Sequence, residues 1–257
     1  MFSPEELAAI ALRVTTEAAA LVEEGFRAKL SVRHKGPSDL VTEYDLSSEK
    51  LVRERLKRAT PSIPVVGEEE GGTAEGDLVW YCDPLDGTMN FVHGHPFWCS
   101  SLGVLDRDGP VAGAVVAPSL GLVWTGYRGG ESRRNGEPCT VSETTELSEA
   151  MVSTGFPANR AVAPDNNFDA FMRVKQHVSG VRRCGSAAID LCFVADGTYD
   201  AYWERRLNAW DIAGGAAVLL AAGGKLTSID GGPIDYRRGY LLASNGKLHD
   251  ALLPLTA

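Results

Sequence analysis

Apolar residues recur at intervals of three and four from Ser3–Lys29, the period of a helix that buries one face. A serine N-cap followed by Pro4 in the first turn marks its start. The pattern predicts one long amphipathic helix. After a Gly36-Pro37 loop, the run Asp39–Asp45 leads into a second predicted helix that continues to about Ala59.

Farther along, the apolar runs shorten, become rich in β-branched residues and are separated by glycine, proline and aspartate. We predict neighbouring, mostly antiparallel strands at Ile63–Val66, Leu78–Cys82, Trp98–Leu105, Val111–Ala117 and Leu122–Thr125. The second half alternates predicted strands at Met151–Thr154, Tyr199–Trp203, Lys225–Ser228 and Tyr240–Ala243 with helices at Asp165–His177, Ser186–Ala195 and Asp211–Ala222. Helices on both faces of two sheets predict an α/β/α/β layered sandwich.

The length of 257 residues is near the upper limit for one hydrophobic core. No internal repeat, low-complexity tract or linker divides the chain. We therefore expect a single domain over 1–257, with N-terminal helices and an antiparallel sheet in 1–140 and an α/β half in 141–257.

The formal net charge of −9 argues against nucleic-acid binding, which relies on a basic surface. An acidic protein can still bind phosphate if metal cations lie between its carboxylates and the ligand. The five cysteines have neither a CxxC pair nor zinc-ligand spacing, and we interpret them as buried or idle thiols. Without a signal-peptide pattern or a membrane-length apolar stretch, a cytoplasmic location is expected, with no membrane partner.

Three acidic clusters stand at the end of a predicted strand or the start of a predicted helix. Gly67-Glu68-Glu69-Glu70-Gly71 follows the strand ending at Val66, and Asp83-Pro84-Leu85-Asp86-Gly87-Thr88 follows the strand ending at Cys82. Trp210-Asp211 begins an alanine-rich helix. Neighbouring carboxylates repel one another when buried alone, so such groups at strand ends favour a hard cation such as Mg²⁺. Each cluster by itself is also compatible with a helix cap or a loop, but the three together favour a metal site.

The second cluster has a backbone suited to such a site. Pro84 fixes the chain and Gly87 permits a tight turn, which lets the acids and the carbonyl of Leu85 converge. Thr88 then begins a short predicted helix that continues to about Val92, and the free amides of its first turn suit a phosphate group.

At these positions the sequence resembles the inositol monophosphatase family, over nearly the whole chain from Asp39 to Asn245. The matching segments are GEEEG from Gly67, WYCDPLDGTMNFVHGHPF from Trp80, GSAAIDLCFVADG from Gly185 and WDIAGG from Trp210. The resemblance implies a magnesium-dependent, lithium-sensitive phosphatase that acts on a small phosphate monoester. It also implies a five-layer sandwich of the inositol monophosphatase and fructose-1,6-bisphosphatase type, and a homodimer.

The resemblance assigns roles to the acidic residues. Glu68, Asp83 and the carbonyl of Leu85 would hold a first Mg²⁺, and Asp83, Asp86 and Asp211 a second, with a third ion possible near Glu68. The chemistry that this implies is two-metal activation of water with in-line displacement at phosphorus.

The resemblance also indicates catalytic and substrate-binding residues. Asp45 and Thr88, together with Glu68, would orient and polarise the attacking water, and the amides of Gly87 and Thr88 would receive phosphate oxygens. Glu204 would accept hydrogen bonds from ring hydroxyls. The full set of substrate-binding residues that the resemblance implies is Asp86, Gly87, Thr88, Arg182, Gly185, Ser186, Ala187, Glu204 and Asp211.

One departure from the family pattern bears on the substrate. Arg206 stands where relatives commonly have glycine, in the run Glu204-Arg205-Arg206-Leu207. An arginine near the mouth would favour a second anionic group, whereas a solvated surface pair is the alternative. Inositol monophosphate is the leading substrate, and fructose bisphosphate, histidinol phosphate and adenosine bisphosphate are the rivals.

A regulatory interaction protein that keeps the fold without turnover is the alternative from a different class. Loss of a carboxylate would be the expected mark of such a lineage. The intact set of Asp45, Glu68, Asp83, Asp86, Thr88 and Asp211 weighs against it.

Overall fold

The computed structural model describes residues 2–36 and 39–257, so Pro37 of the predicted loop lies outside the described residues. The helices are α1 (Pro4–Glu23), α2 (Glu43–Ala59), α3 (Thr88–Val92), α4 (Phe168–Lys175), α5 (Ala187–Ala195), α6 (Ala209–Ala221) and α7 (His249–Thr256). The strands of the first half are β1 (Val32–Gly36), β2 (Asp39–Thr42), β3 (Val65–Gly67), β4 (Val79–Asp86), β5 (Cys99–Asp106), β6 (Gly109–Ala117), β7 (Leu122–Tyr127), β8 (Ser132–Arg134) and β9 (Glu137–Cys139). Those of the second half are β10 (Met151–Thr154), β11 (Gly180–Arg182), β12 (Ala201–Glu204), β13 (Lys225–Thr227) and β14 (Leu241–Ser244).

Helix α1 begins as predicted but ends earlier than predicted. Ser3 and Glu6 form a reciprocal capping box at its first turn. The helix ends at Glu23 rather than near Lys29 because the chain turns at Gly25, where a Cβ atom would lie 2.3 Å from the ring of Tyr44. The predicted end of this helix was therefore wrong.

The first half forms a seven-stranded sheet in the order β3-β4-β5-β6-β7-β8-β9. Its pairs are antiparallel except for β3 with β4, which run parallel. Helices α1 and α2 cover one face through a buried apolar cluster that includes Val14, Leu56 and Trp80. The mostly antiparallel arrangement predicted from the short β-rich runs is thus confirmed.

The second half forms a five-stranded mixed sheet in the order β11-β10-β12-β14-β13. Helices α5 and α6 lie between the two sheets and share one large apolar cluster with both. Helices α4 and α7 cover the far face through Val174, Trp203 and Leu252. The layers are therefore α, β, α, β and α, which confirms the predicted layered α/β architecture.

Helix α6 packs unusually close to the first sheet because glycine lies beneath it on successive strands. A Cβ atom on Gly103 of β5 would lie 2.4 Å from the carbonyl carbon of Ala213, and one on Gly113 of β6 would lie 2.7 Å from the carbonyl oxygen of Gly214. This close approach brings the N-terminal turn of α6, with Asp211, near the end of β4.

Candidate active site

Strand β4 carries two of the predicted metal ligands inside the strand rather than after it. It was predicted to end at Cys82, but it continues to Asp86, so that boundary was wrong. Asp83 pairs with Ser101 and Asp86 with Cys99, so three steps along β4 match two along β5. Ser101 and Cys99 are two residues apart and therefore share one face of β5. Because of this bulge, their partners Asp83 and Asp86 share the corresponding face of β4, although three steps along a regular strand would place them on opposite faces. Both aspartates consequently lie on the face of the sheet that α5 and α6 cover.

Side-chain hydrogen bonds stabilise the bulge. The amide of Leu85 donates to Oδ1 of Asp83 at 3.0 Å, and Oγ of Ser100 donates to the carbonyl oxygen of Pro84 at 2.7 Å. The carbonyl oxygen of Leu85 lies 3.0 Å from Oγ1 of Thr88 at the start of α3. The sequence Asp-Pro-Leu-Asp-Gly-Thr therefore folds into a fixed corner rather than an open loop.

The acidic side chains of the three clusters influence one another strongly. Burial raises the pKa of Asp83 well above its usual range, and repulsion by Glu68, Asp86 and Asp211 raises it further. Burial followed by repulsion from Glu68 likewise raises the pKa of Asp211. The structure thus brings together four carboxylates that sequence analysis assigned to one site.

The donor chemistry of this cluster fits hard divalent cations. Carboxylate and carbonyl oxygens are the ligands that Mg²⁺ prefers, and a cation would relieve the mutual repulsion. Within residues 2–36 and 39–257, no three His, Cys, Asp or Glu side chains are already arranged around one ion position. Several carboxylate oxygens instead accept local hydrogen bonds, such as the one from the amide of Asn208 to Asp211 at 2.6 Å.

Glu68 lies on a loop that α2 holds in place. Glu49 of α2 is fully buried and accepts hydrogen bonds from the amides of Glu69 at 2.7 Å and Glu70 at 3.1 Å. Arg53, one turn farther along α2, pairs with Glu49 at 2.7 Å. Sequence analysis missed this support, because an acid and a base four residues apart are typical of a solvent-exposed helix face.

Asp45 and Thr88, predicted to act together, are in contact. Oγ1 of Thr88 donates to Oδ1 of Asp45 at 3.1 Å, while Oδ2 accepts from the amide and hydroxyl of Thr42 at 2.8 and 2.6 Å. Burial raises the pKa of Asp45 to about 6, against the opposing effect of the Thr42 hydrogen bonds. The pair can therefore transmit a proton from a water molecule at Thr88 to the carboxylate.

The first turn of α5 meets the end of β4 at Asp86. Oγ of Ser186, the N-cap of α5, donates to Oδ2 of Asp86 at 2.7 Å, and the amide of Ala188 donates to the same oxygen at 2.8 Å. Gly87 and Gly185 have φ of 93° and 90°, a conformation that favours glycine. The predicted residues Gly87, Thr88, Gly185, Ser186 and Ala187 are thus parts of one corner.

Glu204 ends β12, and Arg183 rather than Arg182 influences its charge. Burial raises the pKa of Glu204 to about 7, and both the hydroxyl of Tyr202 and the charge of Arg183 oppose that shift. Arg182 is exposed, and its Nη1 lies 3.4 Å from the carbonyl oxygen of Val181. The sequence pattern offered no signal for Arg183, since two adjacent arginines look equivalent until the strand direction is known.

The two arginines after Glu204 contact the protein. Arg206 has φ of 64° and forms an ion pair with Asp165 at 2.7 Å. Arg205 donates to the carbonyl oxygen of Thr256 in α7 at 2.7 Å. These contacts give no support to a role for either arginine in binding a second phosphate.

Comparison with known proteins confirms the resemblance seen in the sequence. The model of the inositol monophosphatase family matches residues 3–257. Inositol-1-monophosphatase from Synechocystis is 38% identical, over 98% of this chain and 90% of that protein. Nus factor SuhB from Pseudomonas aeruginosa is 36% identical, over 95% of this chain and 93% of that protein. The structure of inositol monophosphatase from Anabaena has a TM-score of 0.90 and 36% identity, and the match covers 98% of this chain and 95% of the other.

Proposed function

We propose that this chain, which belongs to the inositol monophosphatase family and is a phosphoric monoester hydrolase, releases phosphate from inositol monophosphate. The observation that carries the proposal is the group of four mutually repelling carboxylates beside the Asp45–Thr88 pair. A cation-binding site and a proton acceptor next to each other are what hydrolysis of a phosphate monoester by water requires.

We propose Mg²⁺ as the metal, with two or three ions in each site. Glu68, Asp83 and the carbonyl of Leu85 would hold one ion, and Asp83, Asp86 and Asp211 another. When bound, such ions lower the pKa of a water molecule and withdraw charge from phosphoryl oxygens. Inhibition by lithium belongs to the same proposal and is read from phosphate release in the presence of LiCl.

The protein's own groups position the water and accept its proton. Thr88 donates to Asp45, which leaves the lone pairs of the Thr88 hydroxyl free to accept a hydrogen bond from water. The two hydrogen bonds from Thr42 fix the carboxylate of Asp45 in this orientation. Asp45 then acts as the proton acceptor through Thr88, with Glu68 orienting the same water.

The corner between β4 and α5 would bind the substrate. The amides of Gly87 and Thr88 would receive phosphate oxygens, and Glu204 would accept hydrogen bonds from ring hydroxyls. The remaining proposed substrate contacts are Asp86, Arg182, Gly185, Ser186, Ala187 and Asp211. Asp86 is already fixed by Ser186 and by the amide of Ala188.

The test is phosphate release in Mg²⁺ from inositol 1-phosphate, fructose 1,6-bisphosphate, histidinol phosphate and adenosine 3′,5′-bisphosphate, each repeated with excess EDTA. We expect inositol 1-phosphate to give the highest kcat/KM and EDTA to abolish release. A bisphosphate that exceeds it would replace inositol phosphate as the substrate. Release that persists in excess EDTA would contradict the metal assignment.

A second candidate is a regulatory role, which the 36% identity to Nus factor SuhB favours. It predicts a folded protein that is inactive on the whole substrate panel. Circular dichroism run beside the phosphate assay separates this outcome from simple misfolding.

A homodimer in the cytoplasm completes the proposal. Among the described residues, no helix is both long enough and apolar enough to cross a membrane. Light scattering coupled to size-exclusion chromatography tests the dimer, since a mass near that of one chain at micromolar concentration would contradict it.

A further inference from the structure

We propose that Tyr202 and Gly155 are positioning residues that aim the carboxylate of Glu204 at a substrate hydroxyl, and so set the preference for a polyhydroxy phosphate. This inference rests on the proposed function. It goes beyond that function because it explains how Glu204, which lies outside the metal cluster, distinguishes a leaving group with hydroxyls from one without them.

Tyr202 holds one oxygen of Glu204. The two residues are separated by one position on β12, so their side chains lie on the same face of the strand. The hydroxyl of Tyr202 donates to Oε2 of Glu204 at 2.5 Å. Tyr202 itself is fully buried in the cluster between the sheets. The phenol is therefore a fixed donor that holds Oε2 of the carboxylate.

Gly155 packs directly against the carboxylate of Glu204. A Cβ atom at this position would lie 1.9 to 2.1 Å from the carboxylate atoms of Glu204, so any side chain there would displace the carboxylate. The backbone conformation of Gly155 is not in the left-handed region, so the requirement for glycine comes from this close approach.

A buried polar network fixes Gly155 relative to β12. Thr154 pairs with Trp203 in the sheet, and its hydroxyl donates to the carbonyl oxygen of Trp203 at 2.7 Å. Nδ2 of the Asn167 side chain donates to the carbonyl oxygen of Gly155 at 2.7 Å, and Oδ1 of the same side chain accepts from the indole of Trp203 at 2.9 Å. Asn167 is 2% exposed. Three hydrogen bonds thus join the end of β10, with Gly155 after it, to the end of β12 next to Glu204.

Charged and titratable groups from several elements act on Glu204. They are Tyr202 on β12, Arg183 after β11, Asp86 on β4, Asp190 on α5 and Asp211 on α6. Burial and the surrounding acids favour the protonated form, whereas Arg183 and the Tyr202 hydroxyl favour the carboxylate. A carboxylate accepts hydrogen bonds from hydroxyls, so recognition depends on the groups that keep it ionised.

Tyr202→Phe tests the positioning role, with Tyr199→Phe as the matched control. Tyr199 is a buried tyrosine of the same cluster, but its hydroxyl lies 3.6 Å from Sγ of Cys184. The substrates are inositol 1-phosphate and phenyl phosphate, which has no ring hydroxyl. In Tyr202→Phe we expect the ratio of kcat/KM for inositol 1-phosphate over phenyl phosphate to fall about tenfold, mainly through KM, as for loss of a hydrogen bond to a charged group. Tyr199→Phe should leave the ratio unchanged.

The pH dependence gives a signature that a merely structural change would not produce. Burial raises the pKa of Glu204 above its ordinary value, so the wild-type ratio should decline as pH falls through that raised pKa. Removing the Tyr202 donor raises that pKa further, so the decline should move to higher pH. Taking the ratio of two esters cancels ionisations that affect the hydrolysis of both esters equally.

The possible outcomes distinguish a failure of the proposed function from a failure of the positioning role of Tyr202 and Gly155. A wild-type enzyme that shows no preference for inositol 1-phosphate over phenyl phosphate contradicts the proposed function, and this inference with it. A wild-type preference that survives in folded Tyr202→Phe, or that falls equally in Tyr199→Phe, overturns the positioning role alone. Gly155→Ala provides a second variant, for which we expect a similar loss of the ratio with retained hydrolysis of phenyl phosphate.

Discussion

Glu49 shows how much of the site depends on a residue outside the recognisable motifs. Its carboxylate is fully buried. It accepts hydrogen bonds from the amides of Glu69 and Glu70 and pairs with Arg53. Gly67 permits this approach, because a Cβ atom there would lie 2.2 Å from Oε1 of Glu49. One side chain of α2 therefore shapes the loop that presents Glu68.

Glu49→Gln should weaken metal binding without preventing folding. A glutamine places an NH₂ group where one carboxylate oxygen now accepts from backbone amides, so the loop bearing Glu68 must shift. We expect the Mg²⁺ concentration for half-maximal activity to rise about tenfold, with kcat at saturating Mg²⁺ much less affected. Glu54→Gln, on the exposed face of the same helix, is the control and should match the wild type. An unchanged Mg²⁺ dependence in Glu49→Gln would disprove the supporting role.

At the residue scale, the sequence predicted acids that belong to short motifs and missed those that act through the fold. The clusters at Glu68, Asp83 and Asp211 were recognisable because each follows a strand or begins a helix. Arg183 and Glu49 were not, because their importance depends on which face of a strand or helix meets the site. The assignments of individual ligands remain predictions that metal-bound geometry would test.

At the scale of elements, long periodic segments were predicted well and short or irregular ones were missed. Strand β10 was predicted with its observed bounds, whereas β8 and β9 are three-residue strands with polar sequences. Helix α7 contains Pro254, and because proline is disfavoured inside a helix, the sequence pattern did not predict this helix. The bulge in β4 was invisible because register depends on the partner strand.

His249 attaches α7 to the second sheet and makes that attachment sensitive to acid. Its ring lies 2.8 Å from Oγ1 of Thr227 and 2.8 Å from Oγ of Ser244, and burial lowers its pKa to about 4. Between pH 6.5 and 4 the unfolded chain binds the proton that the folded chain excludes, so stability falls as pH falls. From pH 7.5 to 5 this group should cost about 2 kcal/mol of the free energy of unfolding.

Urea unfolding of His249→Gln at both pH values measures this contribution. The pH-dependent loss should be smaller in the variant than in the wild type by about 2 kcal/mol, whatever the variant's own stability at pH 7.5. His177→Gln changes an exposed histidine and should retain the wild-type dependence. Equal pH dependence in all three proteins would show that His249 does not titrate in this way.

At the scale of the whole molecule, the spacing between the first sheet and α6 decides whether the acidic groups meet. Glycines on three adjacent strands, Gly103, Gly113 and Gly126, each face the backbone of α6 at distances that exclude a Cβ atom. The layered architecture was predictable from element order, but this spacing was not. Element patterns do not reveal how closely two layers approach. The division of the chain near residue 140 also remains a prediction.

Gly103→Ala should push α6 away from the sheet. The added methyl group meets backbone atoms of Ala213 that no side-chain rotation can move. We expect the free energy of unfolding to fall by about 1–3 kcal/mol, together with weaker Mg²⁺-dependent activity because Asp211 moves with the helix. Gly180→Ala is the control, since its closest neighbour is the mobile end of Arg182. Equal stability of the two variants would show that the sheet and helix can adjust without cost.

The acidic cluster should make the stability of the whole molecule depend on metal, and Asp83→Asn should weaken that dependence. Without metal, burial and repulsion raise the pKa of Asp83 in the folded state, so its ionisation costs stability at every pH above its unfolded value. Asparagine removes the charge, while its carbonyl can still accept from the amide of Leu85. In EDTA we therefore expect Asp83→Asn to melt higher than the wild type, by about 2–4 °C for each kcal/mol regained.

Excess Mg²⁺ should invert this order, because binding to the folded state stabilises in proportion to the logarithm of ligand concentration over Kd. The wild type should then melt above Asp83→Asn, while turnover by the variant falls more than about a hundredfold, the lower end of what one general acid or base contributes. Differential scanning calorimetry in EDTA and in Mg²⁺, with phosphate release measured on the same samples, checks both effects. Wild-type turnover by the variant would remove Asp83 from the reaction. A wild-type melting temperature that does not change when Mg²⁺ is added would contradict the proposal that the cluster binds metal. Four carboxylates that repel one another must be stabilised by any cation that binds between them.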